Sequence, residues 1–277
     1  MINRYRVENI RDFNLKHIFD CGQCFRWNEE PDGSYTGIAM GKPVNMSFRD
    51  GTLEIENCTE EEFYTIWKPY LDLDRDYGRI KRKLSRCDRN MKKAVMTGDG
   101  IRILHQDLWE IIISFIISQN NNIPRIRGCI ENLAGLFGES AGIYRGREWF
   151  NLPGPEKLAS LSVEDLAQIK PGYRGKYLIG TAKAVAEKGL PETEEELLKL
   201  PGVGPKVANC IALFGMGKMN SFPIDVWVQR VMNQIYGIDE KNKKEMKAYA
   251  EEHFGELGGI AQQYLFYYIR EKDKKQE

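Results

Sequence analysis

A lysine and an aspartate, each at the predicted start of a helix, are the residues best placed to do chemistry. Lys206 follows the turn Gly202-Val-Gly204, and Asp225 follows Pro223 further along the chain. The helix dipole and partial burial both disfavour the charged form of such a lysine, so a neutral, attacking amine is easier to reach. The aspartate can cap its helix and still assist a proton transfer. The plain structural alternative is a solvated lysine and a simple cap.

The turn before Lys206 carries the signature of a helix-hairpin-helix. Thr193 and Glu196 are spaced as a capping box, Gly202 and Gly204 make a tight turn, and Pro205 opens the next helix. Backbone amides of such a turn point outward and can hold a nucleic-acid phosphate without a cationic side chain. The two glycines are therefore predicted to bind DNA.

Composition limits the protein class but says little about partners. The 277 residues are 42% hydrophobic, which supports a sizeable core, and lysine plus arginine equals aspartate plus glutamate at 40 each. Balanced charge gives no support for nucleic-acid binding, which must rest on local features. No apolar run approaches the ~18 residues of a membrane span, and the polar start lacks a secretory core, so we expect an intracellular protein.

Cysteine spacing predicts no metal centre. Of the six cysteines, only Cys21 and Cys24 have a metal-like or redox-like spacing, and the three histidines are far apart. An iron–sulfur cluster needs four thiolates, and nothing after Cys210 supplies them at the C-terminus.

The elements that must position these residues form an α+β fold: an N-terminal antiparallel β-sheet domain with helices, then an all-α helix-hairpin-helix domain. The boundary is predicted between residues 1–105 and 106–277, near Gly98-Asp-Gly100. Alternating patterns cut by turn signals predict strands at 24–27, 35–39, 44–48 and 52–56, followed by a helix from Thr59 to about residue 71. Helical periodicity predicts further helices at 108–118, 123–137, 163–169, 176–188, 193–200, 205–214, 225–236, 243–254 and 258–270.

Five ordered stretches resemble one family. The hairpin LPGVGPKVANC (200–210) and FPIDVW (222–227) resemble the helix-hairpin-helix, Gly-Pro-Asp superfamily of DNA glycosylases. Its 8-oxoguanine DNA glycosylase/lyase branch is further matched by CGQCFRW (21–27), WEIIISFIISQNNN (109–122) and IAQQYLF (260–266). The resemblance implies a bifunctional DNA glycosylase/AP lyase that excises 8-oxoguanine from duplex DNA in base excision repair. It also implies a prokaryotic-type, cytoplasmic and nucleoid-associated member, which we expect to be a monomer.

The resemblance implies roles for single residues. Lys206 would attack C1′ of a flipped-out nucleotide and form a Schiff base, with Asp225 as its proton acceptor. In the base pocket, Gly22 would offer its carbonyl to the N7 hydrogen that guanine lacks. The residues implied to bind the base are Gly22, Cys210, Gln262 and Phe266. The residues implied to contact the DNA are Asn120, which fills the gap, and Arg125, Tyr173 and Arg174, which meet the opposite strand.

Two features depart from the pattern or stay ambiguous. Trp227 stands where many eukaryotic members carry histidine, which puts a phosphate contact there in doubt. The basic run 79–83 fits a solvated helix face better than a DNA contact. No cofactor is expected, although carbonyls of the hairpin could hold a structural cation.

Two other functions remain open on sequence grounds. One is a monofunctional alkyladenine-type glycosylase, against which Lys206 argues. The other is a noncatalytic DNA-binding protein that uses its helix-hairpin-helix only as a clamp.

Overall fold

A computed structural model describes residues 2–274, which begin in a five-stranded antiparallel sheet. Its strand order is β1-β5-β4-β3-β2. The bounds are β1 Arg4–Val7, β2 Trp27–Glu29, β3 Tyr35–Ala39, β4 Lys42–Arg49 and β5 Thr52–Glu56. Tight turns at Gly41 and Gly51, both with positive φ, join β3 to β4 and β4 to β5 and fix their register.

The predicted strand at 24–27 is wrong over most of its length. Only Trp27 belongs to β2, and the residues before it form a buried loop. The side-chain amide of Gln23 explains the difference, because it donates to the carbonyls of Ile18 and Arg102 and accepts from the amide of Leu104. These hydrogen bonds hold the loop against neighbouring loops, so its backbone does not pair with a strand of the sheet. The sequence also gave no signal for β1.

One face of the sheet is covered by aromatic side chains. Thr59 and Glu62 form the predicted capping box, and the helix that follows continues through a π-helical segment, Phe63–Trp67. Trp27 donates its indole N–H to the hydroxyl of Tyr70 at 2.9 Å and stacks on Phe19, with ring centroids 4.1 Å apart. This cluster makes the core of the sheet.

The rest of the described chain is mostly helical. The helices are α1 Leu15–Phe19, α2 Glu60–Glu62, α3 Lys68–Tyr70, α4 Tyr77–Leu84, α5 Arg89–Thr97, α6 Leu108–Ser118, α7 Ile123–Phe137, α8 Pro155–Ala159, α9 Gly175–Lys188, α10 Glu194–Leu197, α11 Pro205–Phe214, α12 Val226–Tyr236, α13 Lys243–His253 and α14 Gly258–Lys274. The predicted bounds of α6, α7 and α11 are confirmed. The predicted helix at 163–169 is instead a short 3₁₀ helix, Asp165–Ile169. No helix among residues 2–274 is long and apolar enough to cross a membrane.

A small hairpin that the sequence did not reveal joins the two parts. It consists of β6 Ser140–Tyr144 and β7 Arg147–Phe150, and it lies against β4. Glu56 on β5 accepts hydrogen bonds from the hydroxyl of Tyr144 at 2.8 Å and from Nε of Arg145 at 3.1 Å. The domain boundary after residue 105 stays a prediction. Helices α4 and α5, which precede it, nevertheless pack in the core of the helical part.

Candidate active site

The glycine hairpin between α10 and α11 has the geometry that its sequence predicts. Thr193 and Glu196 form a capping box at the start of α10. Gly202 has a φ of +82°, and a Cβ placed there would stand 2.6 Å from Cβ of Tyr177, so only glycine fits. Gly204 is the N-cap of α11, and no side chain in the described chain caps that helix. The first amides of α11 therefore have no side-chain acceptor.

Lys206 and Asp225 each stand at the start of a helix, α11 and α12. Lys206 is half-buried in the first turn of α11, with Nζ 5.6 Å from the ring centroid of Phe115. Asp225 caps α12 by accepting the amide hydrogen of Val228 at 2.8 Å. Burial raises the pKa of Asp225, and the nearby charge of Lys206 acts to lower that pKa. The charge of Lys206 thus acts on the carboxyl group of Asp225.

Cys210 lies one turn after Lys206 on α11 and is buried. Burial raises the pKa of its thiol, while the charge of Lys206 acts in the opposite direction. The side chains of Lys206, Cys210 and Asp225 therefore belong to one site, formed where two helices begin.

The loop after α6 is tied to the hairpin. Asn120 is exposed with a left-handed φ of +46°, and Gln119 donates its amide to the carbonyl of Gly202 at 2.9 Å. Arg174 is only 4% exposed, and its guanidinium donates to the carbonyls of Gln119 and Asn120, in the latter case at 2.8 Å. Arg174 thus holds the backbone of this loop in place from the buried side. Its implied contact with the opposite strand stays a prediction.

Two other predicted DNA contacts are exposed beside this loop. The ring of Tyr173 lies 4.5 Å from the guanidinium carbon of Arg174 and is about half exposed. Arg125 is exposed in the first turn of α7, where Asn122 accepts its backbone amide hydrogen. Both side chains are accessible to an opposite strand.

Two of the four predicted base-recognition residues, Gly22 and Phe266, come together from distant parts of the chain. Gly22 has a φ of +81°, and a Cβ there would lie 3.4 Å from Cε1 of Phe266. Gln262 lies one turn before Phe266 on α14 and is only 3% exposed. Its side-chain oxygen accepts a hydrogen bond from Gln263 at 2.8 Å. The glycine backbone and the aromatic ring therefore share one wall of the site.

Sequence reasoning missed three residues that shape the site. Gln119 binds the hairpin, and it stands in the same amide-rich run as Asn120, so a signal was present. Phe115 lies under Lys206, and Tyr177 packs on Gly202, but neither position is distinguishable from ordinary core packing by spacing alone.

Family models match nearly the whole chain. The 8-oxoguanine DNA glycosylase N-terminal domain matches residues 6–112, and the HhH-GPD superfamily of base excision DNA repair proteins matches residues 113–256. A probable N-glycosylase/DNA lyase of Methanothermobacter thermautotrophicus is 32% identical over 94% of this chain and 95% of its own length. The chain belongs to the 8-oxoguanine DNA glycosylase family.

Solved structures agree with this membership. A Clostridium acetobutylicum 8-oxoguanine glycosylase/lyase, in complex with DNA containing cytosine opposite 8-oxoguanine, superposes with a TM-score of 0.93. It is 43% identical and covers 99% of this chain and 98% of its own. MBOgg1 bound to a low-affinity DNA ligand gives a TM-score of 0.94 at 44% identity, with 99% of each chain covered. The α+β architecture is thus that of 8-oxoguanine glycosylases.

Trp227, for which the resemblance put a phosphate contact in doubt, is half-buried. Its ring packs against the helical core and lies 4.9 Å from the guanidinium carbon of Arg230. Arg230 in turn donates to Asp273 at 2.6 Å. The position therefore serves packing in this chain.

Proposed function

We propose that this protein is a bifunctional glycosylase/AP lyase that removes 8-oxoguanine from duplex DNA and then nicks the strand. The observation that carries the proposal is the pair formed by the amine of Lys206 and the carboxyl group of Asp225, both half-buried, at the starts of α11 and α12. An amine nucleophile distinguishes glycosylase/lyases from enzymes that activate water. The alkyladenine-type alternative gives no role to Lys206.

The chemistry proceeds through a covalent intermediate. The neutral amine attacks C1′ of the flipped nucleotide, and the bond from C1′ to the base nitrogen breaks with its electron pair leaving on the base. Asp225 accepts the amine proton and stabilises positive charge on the sugar, and its raised pKa makes it a better proton acceptor than an ordinary aspartate. The sugar ring then opens: the bond from C1′ to O4′ breaks, O4′ takes a proton, and the lysine nitrogen forms a Schiff base at C1′. Loss of a C2′ proton then drives elimination, which breaks the 3′ carbon–oxygen bond and releases the 3′ phosphate.

DNA would be held by the backbone and read by side chains. Amides at Gly204 and the start of α11 hold a phosphate. Asn120 enters the gap in the helix, while Arg125, Tyr173 and Arg174 face the opposite strand. Gly22, Cys210, Gln262 and Phe266 bind the extrahelical base.

Borohydride trapping tests this proposal. Borohydride should reduce the Schiff base and leave the wild-type protein covalently bound to duplex DNA that contains 8-oxoguanine. Lys206→Gln should give no adduct, whereas Lys199→Gln, which removes an exposed lysine near the same hairpin, should trap like the wild type. Base release without trapping would favour the alkyladenine-type alternative. The absence of both base release and trapping would favour a noncatalytic clamp.

Three further expectations remain predictions. They are a monomeric state, a cytoplasmic, nucleoid-associated location, and a cation held by hairpin carbonyls. The carbonyls of Leu200, Pro201 and Gly202 each already accept one protein hydrogen bond. A cation there would have to use the second lone pair of these oxygens.

A further inference from the structure

A strongly basic segment, residues 79–93, forms part of the surface. It contains eight of the 40 lysines and arginines but only one acidic residue, Asp88, so the rest of the chain carries a net negative charge. The run 79–83, which by sequence fits a solvated helix face better than a DNA contact, is only the first third of this segment. So much positive charge in one part of a neutral protein indicates local attraction for a polyanion.

The basic side chains form two adjoining stripes, one on α4 and the turn after it, and one on α5. Both helices bury their apolar faces in the core of the helical part. The exposed cations recur with the spacing i, i+3 and i+4, which places them on one face of each helix. They are Arg79, Arg82, Lys83 and Arg86 in the first stripe, and Arg89, Lys92 and Lys93 in the second. These seven residues are called the basic surface below.

Neighbouring side chains do not neutralise the basic surface. Lys81, the eighth cation of the segment, is half-buried and paired with Asp12 and Asp99. Within the described part of the chain, the seven exposed cations make no ion pair. The one carboxylate of the segment is already engaged, since Asp88 caps α5 and accepts a hydrogen bond from the hydroxyl of Tyr236 at 3.1 Å. The positive charge therefore faces solvent.

The basic surface lies away from the catalytic pair. The hydrogen bond from Tyr236 holds the turn between α4 and α5 at the last residue of α12, whereas Asp225 caps the first turn of that helix. The 11 residues of α12 extend about 16 Å at 1.5 Å per residue. The same turn contacts the end of α13, where Sγ of Cys87 donates to the carbonyl of His253 at 3.5 Å. None of the predicted DNA contacts belongs to α4 or α5.

The phosphate backbone of DNA matches this surface. Lysine and arginine neutralise phosphates without reading bases, which requires a row of cations rather than a pocket. The stripe from Arg79 to Arg86 extends about 10 Å along its helix, which corresponds to about three phosphates at 3.4 Å per step. Four of the seven cations are arginines, whose planar group forms paired hydrogen bonds with phosphate. A lipid surface fits less well, because the apolar faces of α4 and α5 are buried in the core and cannot enter a bilayer.

We propose that the basic surface binds the phosphate backbone of a second DNA duplex while the active site holds the duplex that carries the lesion. The inference rests on the proposed function only in taking DNA as the partner. The second duplex is assigned because the length of α12 separates this surface from the catalytic carboxyl group. A protein with two such sites keeps hold of one duplex while it tests another. The contact is independent of base sequence and weakens as the salt concentration rises.

The test asks whether one protein molecule binds two duplexes. A short 2′-fluoro duplex with 8-oxoguanine, which resists cleavage, fills the active site, and a lesion-free duplex with a different dye is added. Sedimentation at low salt should show one protein with both dyes. Arg82→Gln/Arg86→Gln/Lys92→Gln, at three exposed positions, should weaken binding of the lesion-free duplex at least about tenfold. The slope of log K against log salt should become shallower by about 2 to 3, at about 0.9 for each lost phosphate contact.

Lys241→Gln/Lys243→Gln/Lys244→Gln is the matched control. It removes the same charge from three exposed positions near the start of α13, where acidic residues stand on either side. This variant should bind the second duplex like the wild type. Both variants should keep the wild-type Tm and the wild-type rate of base release from a saturating lesion duplex, because neither changes the active site.

Several results would overturn the inference. One is a complex that never holds more than one duplex per protein, even if the first variant weakens binding to a long lesion duplex, since the surface would then contact the flank of that duplex. Another is a protein dimer that holds two duplexes in two active sites. Equal weakening in both variants would assign the effect to total charge. Binding of the wild type to phosphatidylglycerol vesicles that the first variant loses, with the second duplex still bound, would assign the surface to lipid. If the wild type did not prefer the lesion duplex, the proposed function would fail, and two lesion-free duplexes would still test the second site.

Discussion

The catalytic pair and the base-recognition residues are assembled in different ways. Lys206 and Asp225 each stand at the first turn of a helix, and local sequence sets both positions through a glycine turn, a proline and an N-cap. Gly22 meets Phe266, which lies one turn after Gln262 on α14, only through tertiary packing between the loop after α1 and that helix. The comparison shows that local sequence positions the catalytic residues, whereas contacts between distant parts of the chain position the base-recognition residues.

The first prediction concerns the catalytic pair, Lys206 and Asp225, and has the largest expected effect. Asp225→Asn should lower single-turnover base release about a hundredfold to a thousandfold, because the amide cannot accept the amine proton. Folding should be retained, because asparagine is as good an N-cap as aspartate and can still accept the Val228 amide hydrogen. Rates on an 8-oxoguanine duplex and thermal unfolding are measured together.

Asp225→Ala is the matched comparison for this prediction. It should lose the rate and also about 1 kcal/mol of stability, since alanine is a poor cap. If Asp225→Asn kept the wild-type rate, the carboxylate would serve only as a helix cap. Lys206 would then be the one catalytic residue left of the proposed pair.

The second prediction concerns the base-recognition residues and changes a residue that supports the loop of Gly22 from a distance. Arg26 is 3% exposed and bridges the loop of Gly22 to the helical part, donating to Glu131 at 2.9 Å and to the carbonyl of Phe150 at 2.7 Å. Arg26→Met should destabilise the protein by about 2 kcal/mol, because it removes a buried cation and leaves the half-buried acceptors at Glu131 and Phe150 without this donor. Below the unfolding transition, 8-oxoguanine release should fall more than abasic-site cleavage.

Arg147→Met is a suitable control, because Arg147 also binds Glu131, at 2.8 Å, but from a half-exposed position. It should cost less than about 1 kcal/mol and leave both activities unchanged. Equal losses of both activities in Arg26→Met would show that the two halves are not separable in this way.

The same contrast explains how much the sequence could predict. Helices α6, α7 and α11 have the predicted bounds, because caps, prolines and apolar periodicity act within a few residues. The loop before β2 resembled a strand because Phe25 and Trp27 are aromatic, but Gln23 binds Arg102 and Leu104, which are far along the chain. The hairpin β6–β7 was missed because its side chains hardly alternate, and its partner is Glu56 on the sheet. The family resemblance, rather than spacing, supplied the base-recognition residues.

The third prediction tests the hairpin that supports Lys206. Gly202→Ala should destabilise the protein by about 2 kcal/mol, because alanine is strained at a φ of +82° and its Cβ would clash with Tyr177. Gly204→Ser is the contrasting change, since Gly204 has an extended backbone with open space around it. Serine should cap α11 without loss of stability, but its hydroxyl would compete with a phosphate for the same amides. Weaker DNA binding without a lower Tm is therefore expected for Gly204→Ser, and unchanged binding would remove the hairpin amides from the proposed contact.

The fourth prediction has the smallest expected effect and concerns the clamp between the sheet and β6–β7. Burial opposes the ionisation of Glu56, but hydrogen bonds from Arg145 and Tyr144 outweigh it and hold the pKa of Glu56 below its ordinary value. A lowered folded-state pKa stabilises the protein above the ordinary glutamate pKa, and this stability is lost as the pH falls through the lowered value. Glu56→Gln should therefore cost about 1 kcal/mol at neutral pH.

Thermal unfolding of Glu56→Gln and the wild type is compared from pH 7 downward. The difference in Tm should shrink as the pH passes below the ordinary range of a glutamate, because the wild-type carboxylate then takes up a proton and its bonds to Arg145 and Tyr144 weaken. A difference that stays constant with pH would mean that Glu56 acts through shape rather than charge. In that case the contact between the sheet and the helical part would depend on uncharged packing and on Arg26. The base-recognition residues would then keep their geometry in mild acid.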